Sequence, residues 1–130
     1  MCLLNPVIDL AGMLTVSDIP DWTMAECGIA YDLKKMRFVT PELFLKMHES
    51  SPSSLVDHVC TPTLLLLGKS DRRVPYSQGL NWFYALRSRK VECSMLTFPD
   101  VGHRLDTIEA DKYGFEAAAK FFLSKMRALK

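Results

Sequence analysis

The hexapeptide Thr63–Gly68, TLLLLG, is the feature that most restricts the fold of this chain. Four leucines follow one another without alternation, between Pro62 and a closing glycine. Successive side chains of a strand point to opposite faces, so this strand needs apolar cover on both. A strand covered on both faces belongs to a parallel sheet flanked by helices. Residues 2–8 (CLLNPVI) have the same character, and residues 91–98 (VECSMLTF) form a third strand with some alternation, ended by Pro99.

Polar turn residues and a helical pattern follow each strand. Thr40-Pro41 places an N-cap residue before a proline at the first helical position, opening a helix to about Ser50. Residues 77–88 carry Leu80, Phe83, Tyr84 and Leu86 at roughly helical spacing. From Asp111 onward Phe115, Ala118, Ala119, Phe122, Leu123 and Met126 predict a helix with one buried stripe. Alternating strands and helices predict an α/β fold with about three parallel strands and flanking helices. Residues 9–39, without sustained periodicity, are expected to be loop with one or two short helical turns, and residues 50–54 (SSPSS) a polar loop between helices.

A length of 130 residues with 48% hydrophobic and 24% charged residues fits one soluble domain or a piece of one. Sixteen basic against 15 acidic residues leave a net charge of +1, so nucleic acid is not an expected partner. Cys2, Cys27, Cys60 and Cys93 are spaced neither as a metal clamp nor as a small disulfide scaffold, and reduced thiols are expected. No apolar run approaches the roughly 20 residues that span a bilayer. The N-terminal apolar patch lacks basic residues before it and is broken by Asn5-Pro6, so no membrane association and a cytoplasmic location are expected.

The chemistry concentrates in two loops. Asp71 lies in GKSDRRVP (68–75), just beyond the second strand, and His103 lies in FPDVGHRL (98–105), just beyond the third. In a parallel sheet one helix and one strand between them make a single crossover, so both loops emerge at the same edge, where ligands gather. An aspartate that holds an imidazole in one tautomer, together with that imidazole, forms two thirds of the machinery that activates a serine. Arg72-Arg73 beside Asp71 offers a grip on a substrate carbonyl or carboxylate, or simply a solvated turn. Trp22 reads as core or as pocket wall.

Competing motifs fail on spacing. GKS after a strand suggests a phosphate-binding loop, but the glycine that motif requires five residues earlier is Thr63, inside the strand. Gly68, Ser70 and Arg72 imitate a nucleophile elbow, yet its second small residue is an arginine, and no other serine has the pattern. His48 and His58 lack partners at metal-ligand spacing and are expected at the surface or in caps; no metal or cofactor is expected.

The stretches GKSDRRVPYSQG, PDVGHRL and NPVIDLAGMLTVSDIPDW together resemble the C-terminal part of the hydrolase domain of acylaminoacyl-peptidases, in the prolyl oligopeptidase family of α/β-hydrolase serine peptidases. The similarity covers nearly the whole chain. It implies that Asp71 and His103 are the triad aspartate and histidine, and that Arg73 holds a substrate backbone carbonyl. It places Val7, Leu10 and Trp22 at the wall of an acyl-amino-acid pocket. It further implies a cytosolic homo-oligomer whose substrate is an N-acylated peptide, from which one acylated amino acid is released.

In that family the G-x-S-x-G serine, the oxyanion donors and an N-terminal β-propeller lie upstream of the matched segment. Residues 1–130 are therefore expected to be a partial hydrolase domain that is inactive alone. Its first strand should present an open edge, and its stability should be marginal. A non-catalytic interaction fragment, and a piece of another α/β-hydrolase such as a dipeptidyl peptidase or carboxylesterase, stay open as alternatives.

Overall fold

A computed structural model describes residues 1–32 and 39–127. Three parallel strands, β1 (Cys2–Leu4), β2 (Thr63–Gly68) and β3 (Cys93–Phe98), lie in that order across one sheet. β2 pairs with both neighbours, Leu65 opposite Leu3 on one side and Met95 on the other. All six β2 residues are buried.

The leucine run divides between two layers. Leu65 and Leu67 face helix α4 (Tyr76–Ser88), where they pack with Ile8, Trp82, Leu86 and Cys93. Leu64 and Leu66 face the opposite way, beneath helix α5 (Ile108–Arg127), with Phe98, Val101, Leu105 and Ala110. Each leucine so buried contributes about 1.5–3 kcal/mol. At Gly79 the helix lies so close to the sheet that a Cβ would stand 2.4 Å from a Leu67 methyl.

A third apolar cluster is built by the helices that follow β1 in the chain. Helices α1 (Leu10–Leu14), α2 (Pro20–Glu26) and α3 (Pro41–Glu49) gather Leu10, Ala11, Met24, Cys27 and Met47 into a separate apolar cluster. The expected loop over 9–39 thus holds two short helices, and its residues 33–38 lie outside the described residues. α3 begins as predicted, with the Thr40 hydroxyl accepting from Leu43 N.

Several expectations are corrected. β1 ends at Leu4 rather than residue 8, because Asn5 turns into the left-handed region (φ 39) and Pro6 has no N–H for a ladder. β3 starts at Cys93 because residues 89–91 close α4: Lys90 is left-handed (φ 62) and Val91 N donates to Leu86 O. α5 begins a turn early, at Ile108, where the Thr107 hydroxyl accepts from Ala110 N.

The α5 stripe expected to be buried is largely exposed: Phe115 is 75% accessible, and Phe122, Leu123 and Met126 are also exposed. Small residues settle which face packs. Ala110 and Gly114 are the buried residues of α5, and a Cβ on Gly114 would lie 3.5 Å from a Leu66 methyl and 3.9 Å from Phe98, with Ala117, Ala118 and Phe121 packed on the same layer. The SSPSS segment enters a 3-10 turn (Pro52–His58), and Ser51 is buried. Its hydroxyl accepts from Leu10 N and donates to Met47 O, joining α1 to α3.

Candidate active site

The loops after β2 and β3 lie side by side. Lys69 N donates to Phe98 O and Ser70 N to Val101 O, which locks residues 69–71 against the start of the His103 loop. Gly68 makes this approach possible, since a Cβ there would stand 2.5 Å from Val101 O.

Asp71 is buried. Its Oδ1 accepts from Arg73 N (2.8 Å) and Val74 N (2.9 Å), a side-chain turn that orients the carboxylate at the approach to α4. Its Oδ2 lies 2.8 Å from His103 Nδ1. A carboxylate oxygen only accepts, so the proton on this contact belongs to Nδ1, and Nε2 of the neutral ring keeps a lone pair. The His103 side chain is 38% accessible while that of Asp71 is wholly covered. The arrangement leaves the imidazole partly open to solvent and keeps the carboxylate that faces it covered.

The pair borders an open depression of about 330 Å3 that Arg73, Asp18 and Arg104 also line. Arg73 Nε stands 3.5 Å from Asp18 Oδ1, both half-exposed, a pair worth at most about 1 kcal/mol. The α1–α2 connection is fastened here as well: Ser17 Oγ donates to Arg73 O, and Asp18 N donates to Arg72 O.

Val7, Leu10 and Trp22 are not brought to this depression. Leu10 is buried in the α1–α3 cluster and Val7 packs against it. Trp22 is at the surface of α2, 36% accessible, because its neighbours Thr23 and Met24 take the inward face; it is not a core residue. His48 is exposed on α3, stacked on Phe44. Among the described residues no three His, Cys, Asp or Glu side chains are grouped to hold a metal.

Two buried amides, Asn5 and Gln78, also hold this region together and carry no motif that marks them in the sequence. Asn5 Oδ1 accepts from Gly68 N, and its Nδ2 donates to His103 O at 2.8 Å. Gln78 Oε1 accepts from Ile8 N and Asp9 N, and its Nε2 donates to Asp9 O, binding α4 to the segment after β1. The one sequence cue to Asn5 was its place before a proline at a strand end.

The family model described as the prolyl oligopeptidase family matches residues 6–128. The acylamino-acid-releasing enzyme of Rattus norvegicus is 40% identical over 113 residues, covering 85% of this chain and 15% of that protein. The enzyme of the same name from Arabidopsis thaliana is 39% identical over 120 residues, covering 91% and 15%. A solved acylaminoacyl peptidase in complex with Z-Gly-Gly-Phe-chloromethyl ketone superimposes with a TM-score of 0.74 at 19% identity, over 93% of this chain and 19% of that one. That likeness shows the fold: three parallel strands and flanking helices of the α/β-hydrolase type. The chain spans about 15% of the length of the curated relatives it matches.

Proposed function

The chain belongs to the prolyl oligopeptidase family of serine peptidases, and we propose that it supplies the acid–base half of an acylaminoacyl-peptidase. The reaction is release of an N-acylated amino acid from a blocked peptide. The observation that carries the reading is the 2.8 Å contact between a buried carboxylate and an accessible imidazole, on adjacent loops past parallel strands.

In this reading His103 Nε2 takes the proton of a serine hydroxyl as that oxygen attacks the scissile carbonyl, then returns it to the leaving amine. Asp71 stays ionised, fixes the Nδ1–H tautomer and stabilises the imidazolium. Arg73 holds a substrate backbone carbonyl, with Asp18 steadying its guanidinium. The assignment of Val7, Leu10 and Trp22 to the wall of the acyl-amino-acid pocket rests on the resemblance; of the three, Trp22 offers an accessible ring, whereas Leu10 and Val7 pack within the α1–α3 cluster.

These residues contain no G-x-S-x-G. The nucleophile and oxyanion donors would come from sequence outside them, and residues 1–130 alone would be a partial domain without turnover. All four cysteines are free thiols, in keeping with a cytoplasmic site of action for a homo-oligomeric enzyme. Among the described residues no helix is long and apolar enough to cross a membrane.

A fluorophosphonate probe tests the first part: residues 1–130 should remain unlabelled, and labelling at a serine contradicts the assignment. Grafting the chain in place of its matched region in the rat relative tests the second. The graft should hydrolyse acetyl-alanyl p-nitroanilide in preference to the free-amino compound. The opposite preference would indicate an aminopeptidase or dipeptidyl-peptidase type of specificity instead.

A further inference from the structure

Asn5 is 5% accessible, ends β1, and touches both loops that carry the polar pair. Its amide orientation is forced. Gly68 N–H needs an acceptor and the His103 carbonyl needs a donor, so Oδ1 must face the first and Nδ2 the second. Its backbone N–H also donates to Leu66 O. One residue therefore joins the ends of β1 and β2 to the loop beyond β3.

The backbone of Asn5 is held in an unfavourable place. A residue before proline is normally driven to extended conformations, yet Asn5 has φ 39. Left-handed backbone at a non-glycine residue persists where its surroundings require it, and such positions cluster at functional sites. The recipient loop is constrained too, since Leu105 is left-handed with φ 53. Val101 O, accepting from Ser70 N, anchors the start of that loop, and Asn5 takes its apex, where Nδ2 reaches His103 O at 2.8 Å and Gly102 O at 3.4 Å.

We propose that Asn5 is a positioning residue for His103: its carboxamide grips the histidine's own carbonyl and so keeps the imidazole in line with the Asp71 carboxylate. This rests on the reading of His103 as the proton carrier. It adds a fourth side chain to the relay, one that touches neither substrate nor imidazole.

Asn5→Asp separates this role from that of a simple strand tie. At neutral pH the carboxylate still accepts from Gly68 N–H but offers no donor to His103 O. Asn5→Gly is the second variant; it adopts left-handed backbone without strain and removes both arms. In residues 1–130, long-range 1H–15N spectra report the tautomer of each histidine and the exchange of the His103 Nδ1 proton, with His48 and His58 as internal references. Protected amides at Leu64–Leu67 certify that a variant is folded. Loss of one neutral hydrogen bond should speed exchange of the His103 proton about fivefold, while the β2 amides hold. An unchanged His103 proton in either folded variant overturns the proposal. No step of the readout depends on turnover, so a failed peptidase assay and a failed Asn5 test are told apart.

Discussion

Gly68 lies directly beneath the Val101 carbonyl: a methyl group on its α-carbon would be 2.5 Å from that oxygen and 2.6 Å from Gly102 O. Neither obstacle is a side chain that could swing aside. The Asp71 and His103 loops are close because one of them begins with a residue that has no side chain.

Gly68→Ala is accordingly expected to push the two loops apart. The forced shift should destabilise the fold by about 1–3 kcal/mol, read as a lower urea midpoint. It should also break the Asp71–His103 contact, visible as exchange broadening or loss of the Nδ1 proton. A variant as stable as the parent, with that proton intact, would show that the loops tolerate separation.

Asp71→Asn keeps an oxygen for the Arg73 and Val74 amides and changes what faces the ring. An amide NH2 donates toward Nδ1 and selects the wrong tautomer. In the rat graft the expected loss in kcat is about 10⁴-fold, by analogy with the aspartate of the serine-protease triad. A loss confined to KM would instead give Asp71 a binding role.

Leu65 is fully buried between β1, β3 and the α4 layer. Leu65→Ala should reduce stability by about 2–5 kcal/mol, a large share of the roughly 5–15 kcal/mol margin of a native domain. Chemical denaturation followed by circular dichroism measures it. Leu4→Ala, at the accessible end of β1, should change stability by less than about 0.5 kcal/mol.

The thiols divide by burial. Desolvation raises the Cys93 thiol above its usual 9.0, with Arg87 opposing, and raises Cys27 in the same direction. Cys60 is exposed. Alkylation by iodoacetamide at pH 8 should label Cys60 first, and Cys27 and Cys93 only upon unfolding. The folded state keeps its buried thiols protonated where the unfolded chain ionises. Their contribution to stability is therefore complete below pH 9 and declines as pH rises beyond it.

The sheet and the polar pair were legible for the same reason. TLLLLG is satisfied by one environment, and the loops beyond parallel strands converge by topology rather than by fine packing. What escaped depends on neighbours. α1 and α2 are 5 and 7 residues long, too short to form by propensity, and exist because Leu10, Met24 and Met47 bury one another. In α5 hydrophobicity marks the large residues, whereas the face that packs on Leu66 and Phe98 carries Ala110 and Gly114, which periodicity of large side chains does not single out. Ser51 and Asn5 had the look of polar breaks; their hydrogen bonds go to partners far along the chain, which spacing does not encode.

The buried Asp71 carboxylate selects which nitrogen of His103 carries the proton, and the tautomer of that ring in residues 1–130 is the quantity to measure. In long-range 1H–15N spectra recorded where the ring is neutral, His103 should carry its proton on Nδ1, with Nε2 bare, while exposed His48 shows no such selection. A His103 ring protonated on Nε2, or one indistinguishable from His48, would show that Asp71 does not set the tautomer.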